Sequence, residues 1–347
     1  MDQAFLPCQE TFMSEFTGNS NKAYKLGQPP ELNRAPKVLW AELFPSEFIT
    51  RQQQCPLVYL PLGLCEPHGQ ISAFGLDTVK AEYLCIKVAE QLGGIVAPSM
   101  AYHVHETGPS ARFLEDMVGE NNPYMSSVPP YMYYHFFLYQ LRAFYNAGFR
   151  SAIILSGHGG AHLQDLRKIS RMFQERFGMN IWYGTDFDLV EGTYTGDHAG
   201  KYEISMLMFI RPDLIDLSKK PLEDITGAGG RLAAGVDAGE ASTLYGEQIS
   251  AACEAALSRI AIELSTPSAI ALNWPSSSTS TLNSTSTSNS LTSAGLLSYG
   301  AIEELWAEIV RSAEDGSELW AALQPREGQA PVSGHSRWKP NEHIQMI

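Results

Sequence analysis

Ala152-Ile153-Ile154-Leu155 runs directly into Ser156-Gly157-His158-Gly159-Gly160, and this stretch decides the fold class. Four apolar residues followed by a glycine-rich turn read as a buried strand. Glycines on both sides of His158 allow close backbone approach and unusual dihedrals. In open parallel sheets, functional sites gather outside the carboxyl ends of strands. His158 stands at such an end.

Working outward, Leu57-Val58-Tyr59-Leu60 lies between Pro56 and Gly63 and reads as a second buried strand. Ile95-Val96-Ala97 and Ile181-Trp182-Tyr183 are two more. Helical spacing fills the intervals. Thr78 to Gln91 is stopped by Gly93-Gly94, Pro129 to Asn146 is ended by Gly148, and His162 to Phe177 follows the central strand. Short apolar strands alternating with helices predict an α/β fold with a mostly parallel sheet. Further on, Gly239 to Leu264 and Ile302 to Leu323 look helical. Between them, residues 275–293 are dominated by Ser, Thr and Asn. Such a segment buries too little apolar area to offset its ordering entropy, and reads as a surface loop. Residues 1–36, polar and irregular, form an N-terminal arm. Residues 325–347 form a C-terminal tail. Residues 37–324 are then the main domain.

The chain has 347 residues, a formal net charge of −14, 44% apolar and 18% charged residues. It is long enough for a sizeable core. The acidic balance argues against a nucleic-acid binder, which needs a basic surface. No run approaches the roughly 20 apolar residues of a membrane span. Met1 to Thr17 has no secretory pattern, so the Asn283-Ser284-Thr285 sequon carries little weight. Five cysteines without a CxxC pair suggest neither a disulfide framework nor a zinc ribbon. A cytoplasmic protein is expected.

Three short blocks carry the chemistry. The first is Glu66-Pro67-His68-Gly69 with Asp77-Thr78 beyond it. In extended backbone, positions two apart point the same way, so Glu66 and His68 project together. Asp77 falls at the next helix entry, where it reads as part of an N-terminal capping pair. One imidazole with two carboxylates is a natural ligand set for zinc, manganese or iron. The second block is Ser156 to Gly160. The third is Asp197-His198-Ala199-Gly200-Lys201-Tyr202-Glu203-Ile204-Ser205. Asp197 or His198 opens a helix running to Ile210, with Glu203 pointing inward from its second turn. Singly, His158 is a loop histidine, Asp77 a cap and Glu203 a solvated helix face. Their recurrence at successive strand and helix ends is what those readings leave unexplained.

In this order the blocks resemble the creatininase (creatinine amidohydrolase) family, over about Val38 to Leu214. The resemblance implies a three-layer α/β/α sandwich and a two-metal hydrolytic site, commonly in a hexamer. It implies a small-molecule substrate, a cyclic amide or formamide cleaved at a C–N bond by a metal-activated water. Some relatives act on peptides or cyclic keto-polyols. By motif position, Glu66, His68, Asp77, His158 and Glu203 match metal-site residues, with Asp77 as the bridge. His198 matches the residue that handles protons; it is expected to be oriented by Asp197, and Glu203 joins these two in the catalytic set. The N–H groups of Gly159 and Gly160 are expected to face the substrate oxyanion.

The sequence also departs from the pattern. Ala161 replaces a frequent Asn, and Gly160 stands where creatininase has a carboxylate. Tyr102-His103-Val104-His105-Glu106-Thr107-Gly108-Pro109 replaces the family's stretch between the first two blocks. These changes point away from creatinine. They leave a cyclic ketone or keto-polyol as an alternative substrate, and binding without turnover as another. His103, His105 and Glu106 could line a substrate pocket, although a strand edge with satisfied polar groups explains them more simply.

Overall fold

The computed structural model describes residues 36–104, 125–160, 162–219, 234–266, 295–314 and 317–319. The elements needed here are α1 (Pro45–Gln54), β1 (Leu57–Leu62), α2 (Leu76–Leu92), β2 (Ile95–Val96), α3 (Pro130–Asn146) and β3 (Ser151–Ser156). They continue with α4 (His162–Phe177), β4 (Asn180–Thr185), α5 (Asp186–Leu189), α6 (Lys201–Ile210), α7 (Thr243–Ser265) and α8 (Tyr299–Arg311). The strands lie in the order β2-β1-β3-β4, and every neighbouring pair is parallel. Leu62 pairs with Ser156, and Ser156 with Thr185. Three strands therefore end level, at one edge.

Side chains alternate across each strand, and both sides are covered. Val58, Leu60 and Leu62 of β1 join Ala152 and Ile154 of β3 in a core with α3, α4 and α8. Leu57, Tyr59, Ile153 and Leu155 face the opposite core, with α2, α6 and α7. Each fully buried aliphatic side chain contributes about 1.5–3 kcal/mol. A strand apolar on both faces gains that only beneath two helical layers. The result is the three-layer α/β/α sandwich.

Hydroxyl caps move the expected helix starts. Ser242 accepts the Tyr245 N–H at 3.2 Å, so α7 begins at Thr243 rather than near Gly239. Ser298 accepts the Ala301 N–H at 3.1 Å, starting α8 before Ile302. Helix α8 ends at Arg311, well short of Leu323. In α3, Tyr133, Tyr134 and Phe137 are buried, whereas Tyr131 and Phe136 are exposed. Residues 1–35 of the arm, 275–293, 325–347, His105, Glu106 and Ala161 lie outside the described residues. Cys55, Cys65, Cys85 and Cys253 carry no disulfide. No described helix is long and apolar enough to cross a membrane.

Candidate metal centre

The level strand ends bring the three sequence blocks together. Beyond β1, His68 turns its Nδ1 to the Glu66 backbone carbonyl at 3.0 Å. A carbonyl only accepts, so the proton sits on Nδ1 and Nε2 is the ligating nitrogen. That Nε2 lies 3.2 Å from Asp77 Oδ1, 3.5 Å from Glu203 Oε2 and 4.0 Å from Glu66 Oε1. Beyond β3, His158 Nδ1 lies 2.9 Å from Glu66 Oε1 and 3.3 Å from Asp77 Oδ2. All five residues are buried, none more than 3% exposed.

Two local readings change. Asp77 does not cap α2: Gly75 holds the N-cap position, and Asp77 lies inside the first turn with its carboxylate between His68 and His158. Glu203 belongs to the first turn of α6, not the second. That helix opens at Lys201 because Asp197 sits just before it. The Asp197 carboxylate accepts N–H groups of Gly200, Tyr202 and Glu203 at 3.1, 2.7 and 3.2 Å. Asp197 thus holds the helix entry. Ala199 takes a left-handed φ of 51° and gives its N–H to Glu203 Oε2 at 2.8 Å. A strained non-glycine residue persists where its surroundings fix it, here at the ligand itself.

His198 stacks on His68, with ring centroids 4.8 Å apart. Its Nε2 lies 3.2 Å from the Pro67 carbonyl and its Nδ1 3.9 Å from Glu66 Oε1. Its side chain is 25% exposed, against 0–3% for the five residues beneath it. Gly159 is half-buried beside Phe187, and Gly160 is exposed with φ 144°. His103 is fully buried behind His158, with its ring 4.4 Å from Tyr133 and 4.3 Å from His162.

Among the described residues, the ligand atoms fall into four compact groups, each within 4.8 Å. Two of them, Glu66–Asp77–His158 and His68–Asp77–Glu203, are built of buried residues and share Asp77. A further one, Glu66–His68–His198, includes the part-exposed His198. At an effective dielectric of 20, two carboxylates at that spacing repel by about 3–4 kcal/mol. Three buried carboxylates this close need positive charge among them. The donors, two imidazoles and three carboxylates, are those that zinc, manganese or iron takes. The residues therefore fit a pair of divalent ions. The remaining grouping, His103–His158–His162, suits an ion less well. His158 and His162 stack with planes 10° apart, which keeps their in-plane lone pairs from converging on one point.

Protons take the cations' place in the metal-free protein. Burial disfavours imidazolium at His68, but Asp77, Glu203 and Glu66 outweigh it and push the pKa up to about 9. At His158, burial is outweighed by Glu66 and Asp77, and the pKa rises to about 10. Asp77 is held below the usual carboxylate range: burial raises it, but the histidines lower it further. Imidazoles raised above an unfolded value near 6.5 stabilise the fold fully below that pH, and lose the effect as pH climbs through 9–10. Metal-free protein should thus lose a few kcal/mol between pH 7 and 10, whereas metal-loaded protein should change little. Urea unfolding across that range checks this; a flat metal-free profile would contradict it.

Sequence reading missed Lys80, Asp186 and His162. Lys80 Nζ lies 2.5 Å from Glu203 Oε1 and 3.3 Å from Asp186 Oδ2, and 4.5 Å from the Phe187 ring centre. Burial disfavours the ammonium, but Asp186, Glu203 and Asp77 raise the Lys80 pKa and hold it charged. Burial, with Glu203 and Asp77, pushes Asp186 up to about 7 against the pull of Lys80. A signal existed for both. Lys80 falls on the stripe of Asp77, Ala81, Leu84 and Val88 that α2 buries, where an unpaired lysine is rare. Asp186 follows β4 directly, at the strand-end edge.

The chain thus combines a parallel α/β/α sandwich with a buried candidate metal centre at its strand ends. It belongs to the creatininase family: the family model, described as creatinine amidohydrolase, matches residues 41–260. A relative from Thermotoga maritima, 3-dehydro-scyllo-inosose hydrolase, is 27% identical over 172 residues, covering 48% of this chain and 50% of that protein. The chain thus spans about half the length of this curated relative. Among solved structures, creatinine amidohydrolase (creatininase) superposes with a TM-score of 0.56 at 20% identity, covering 66% of this chain and 98% of that one. A structure described as "Creatininase Mn" gives 0.56 at 20% identity, covering 67% and 100%. At such identities these likenesses show the fold.

Proposed function

We propose that the protein is a divalent-metal-dependent hydrolase of a small cyclic substrate. The observation that carries this reading is the pair of buried donor groups sharing Asp77. Glu66, Asp77 and His158 would hold one ion; His68, Asp77 and Glu203 would hold the other. Such ions, zinc, manganese or iron, lower the pKa of a bound water and polarise a carbonyl. The protein's own groups supply the rest. The Pro67 carbonyl and the stacked His68 ring fix His198. The Pro67 carbonyl keeps a proton on Nε2, so Nδ1 is the nitrogen that takes and delivers a proton. Gly159 and Gly160, at the exposed edge, offer backbone N–H groups to a developing oxyanion.

The leaving group divides two substrate classes. Cleavage of a C–N bond in a cyclic amide or formamide needs a proton on the departing nitrogen, which His198 can deliver. The Thermotoga relative's name favours a second reading, a cyclic keto-polyol opened at a C–C bond. The same water attack serves both. Elemental mass spectrometry of the purified protein, followed by substrate screening, tests the proposal. About two ions per chain with amine or ammonia release supports the first reading; two ions with ring opening to a carboxylate and no amine supports the second. Absence of bound metal, with no uptake of zinc or manganese, would overturn both.

His198→Ala should retain both ions, because the two donor groups that share Asp77 do not include it. Its turnover should fall about 10²- to 10⁴-fold, the usual contribution of a positioned acid or base. Metal content and kcat, measured on one preparation, check this. Loss of metal in the variant would move His198 from proton transfer to ligation.

A further inference from the structure

Lys80 and Asp186 form a buried ion pair beside the donor groups. Lys80 lies one helical turn after Asp77 on α2, and Asp186 opens α5 after β4. The Lys80 ammonium lies between the two carboxylates, 2.5 Å from Glu203 Oε1 and 3.3 Å from Asp186 Oδ2. None of the three residues is more than 3% exposed.

Glu203 has two oxygens, and the structure gives them different surroundings. Oε1 takes the ammonium of Lys80 at 2.5 Å. Oε2 takes the Ala199 N–H at 2.8 Å and faces His68 Nε2 at 3.5 Å. Lys80 is held in turn by Asp186 and by the Phe187 face. We infer that Lys80 is a positioning residue that clamps Glu203 through Oε1, so that Glu203 presents only Oε2 to the His68–Asp77 side of the centre.

Charge counting supports the assignment. With Asp186 ionised, its charge offsets that of Lys80, so the pair adds a directed contact to the centre with no added net charge. The three carboxylates Glu66, Asp77 and Glu203 then face the two ions of the proposed function, on which this inference rests. A lysine alone would weaken cation binding by repulsion; a lysine delivered with its own carboxylate does not. Without the clamp only the Ala199 N–H still holds the carboxylate, Oε1 can turn toward the centre as well, and the ordering cost falls on the ion that binds there. Residues that orient a ligand typically change metal affinity about 10- to 100-fold when removed.

The test compares wild type, Lys80→Met, Lys80→Met/Asp186→Asn and Lys80→Gln/Asp186→Asn. Both double variants keep the local net charge of wild type. They also avoid the unpaired buried carboxylate that could unfold the single variant. Zinc stoichiometry and the affinity of each ion are read by titration against a chromophoric chelator. In Lys80→Met/Asp186→Asn one ion should bind as in wild type and the other about 10- to 100-fold more weakly. Gln at position 80 can still donate to Oε1, and should restore most of the weaker affinity. Wild-type affinity for both ions in the Met double variant would overturn the clamp. So would equal weakening of both ions, or failure of Gln to rescue. Wild type with fewer than two ions would instead refute the two-ion reading, a separate outcome visible before any variant is made.

Discussion

Asp77→Ala should strip the protein of both ions and abolish turnover together. Asp77 is the one residue common to the Glu66–Asp77–His158 and His68–Asp77–Glu203 groups. Its two oxygens face different histidines, Oδ1 to His68 and Oδ2 to His158. Alanine removes both contacts and leaves His68 and His158 without their shared counter-charge. Loss of a supporting residue costs about 10- to 100-fold in metal affinity, and a shared ligand should cost well beyond that at both positions. Metal content, chelator titration and kcat on the same sample check the result. Asp77→Asn keeps the shape but not the charge, and should behave similarly. Either variant retaining two ions and wild-type turnover would remove Asp77 from the centre.

Gly157→Ala should damage the centre nearly as much without altering any ligand. A Cβ at Gly157 would come within 2.0 Å of the Asp77 backbone carbonyl. The obstacle is backbone, so no side chain can swing aside. Gly63 lies in the same relation to α2: its Cβ would come within 2.4 Å of the Thr78 backbone nitrogen. The first turn of α2 is therefore pressed against the ends of β1 and β3 through two hydrogen-sized gaps. Overpacking a tight contact costs about 1–3 kcal/mol, occasionally more. Relief must push α2 away and carry Asp77 with it. A displacement on the order of 1 Å at a reacting centre can cost about 10²-fold in rate. Thermal unfolding should show a clear drop for the metal-loaded protein, with reduced metal affinity. Gly192→Ala makes a useful contrast. Its Cβ would meet nothing within 4 Å, but its φ of 81° adds local strain, so it should cost stability without loss of metal.

Periodicity and strand-end logic made most of this arrangement legible in the chain itself. The apolar runs at 57–60 and 152–155 mark strands buried on both faces, because a run without alternation can satisfy both sides only between two layers. The blocks at Glu66–His68, Ser156–Gly160 and Asp197–Glu203 sit where those runs stop, and a parallel sheet gathers such ends at one edge. Fold class, the order of elements and the residues that meet were therefore readable from local pattern. Other features needed the tertiary structure. Asp77 reads as a cap in sequence because helix-entry Asp residues commonly are; only the close packing of α2 on Gly63 and Gly157 turns its carboxylate inward. Asp197 reads as the partner of His198, yet the backbone N–H groups of Gly200, Tyr202 and Glu203 at the entry of α6 claim it. Lys80 and Asp186, more than 100 residues apart in sequence, form a pair no local window can contain. A charge is tolerated in a core only where long-range packing delivers its counter-charge, and that delivery is decided by the fold.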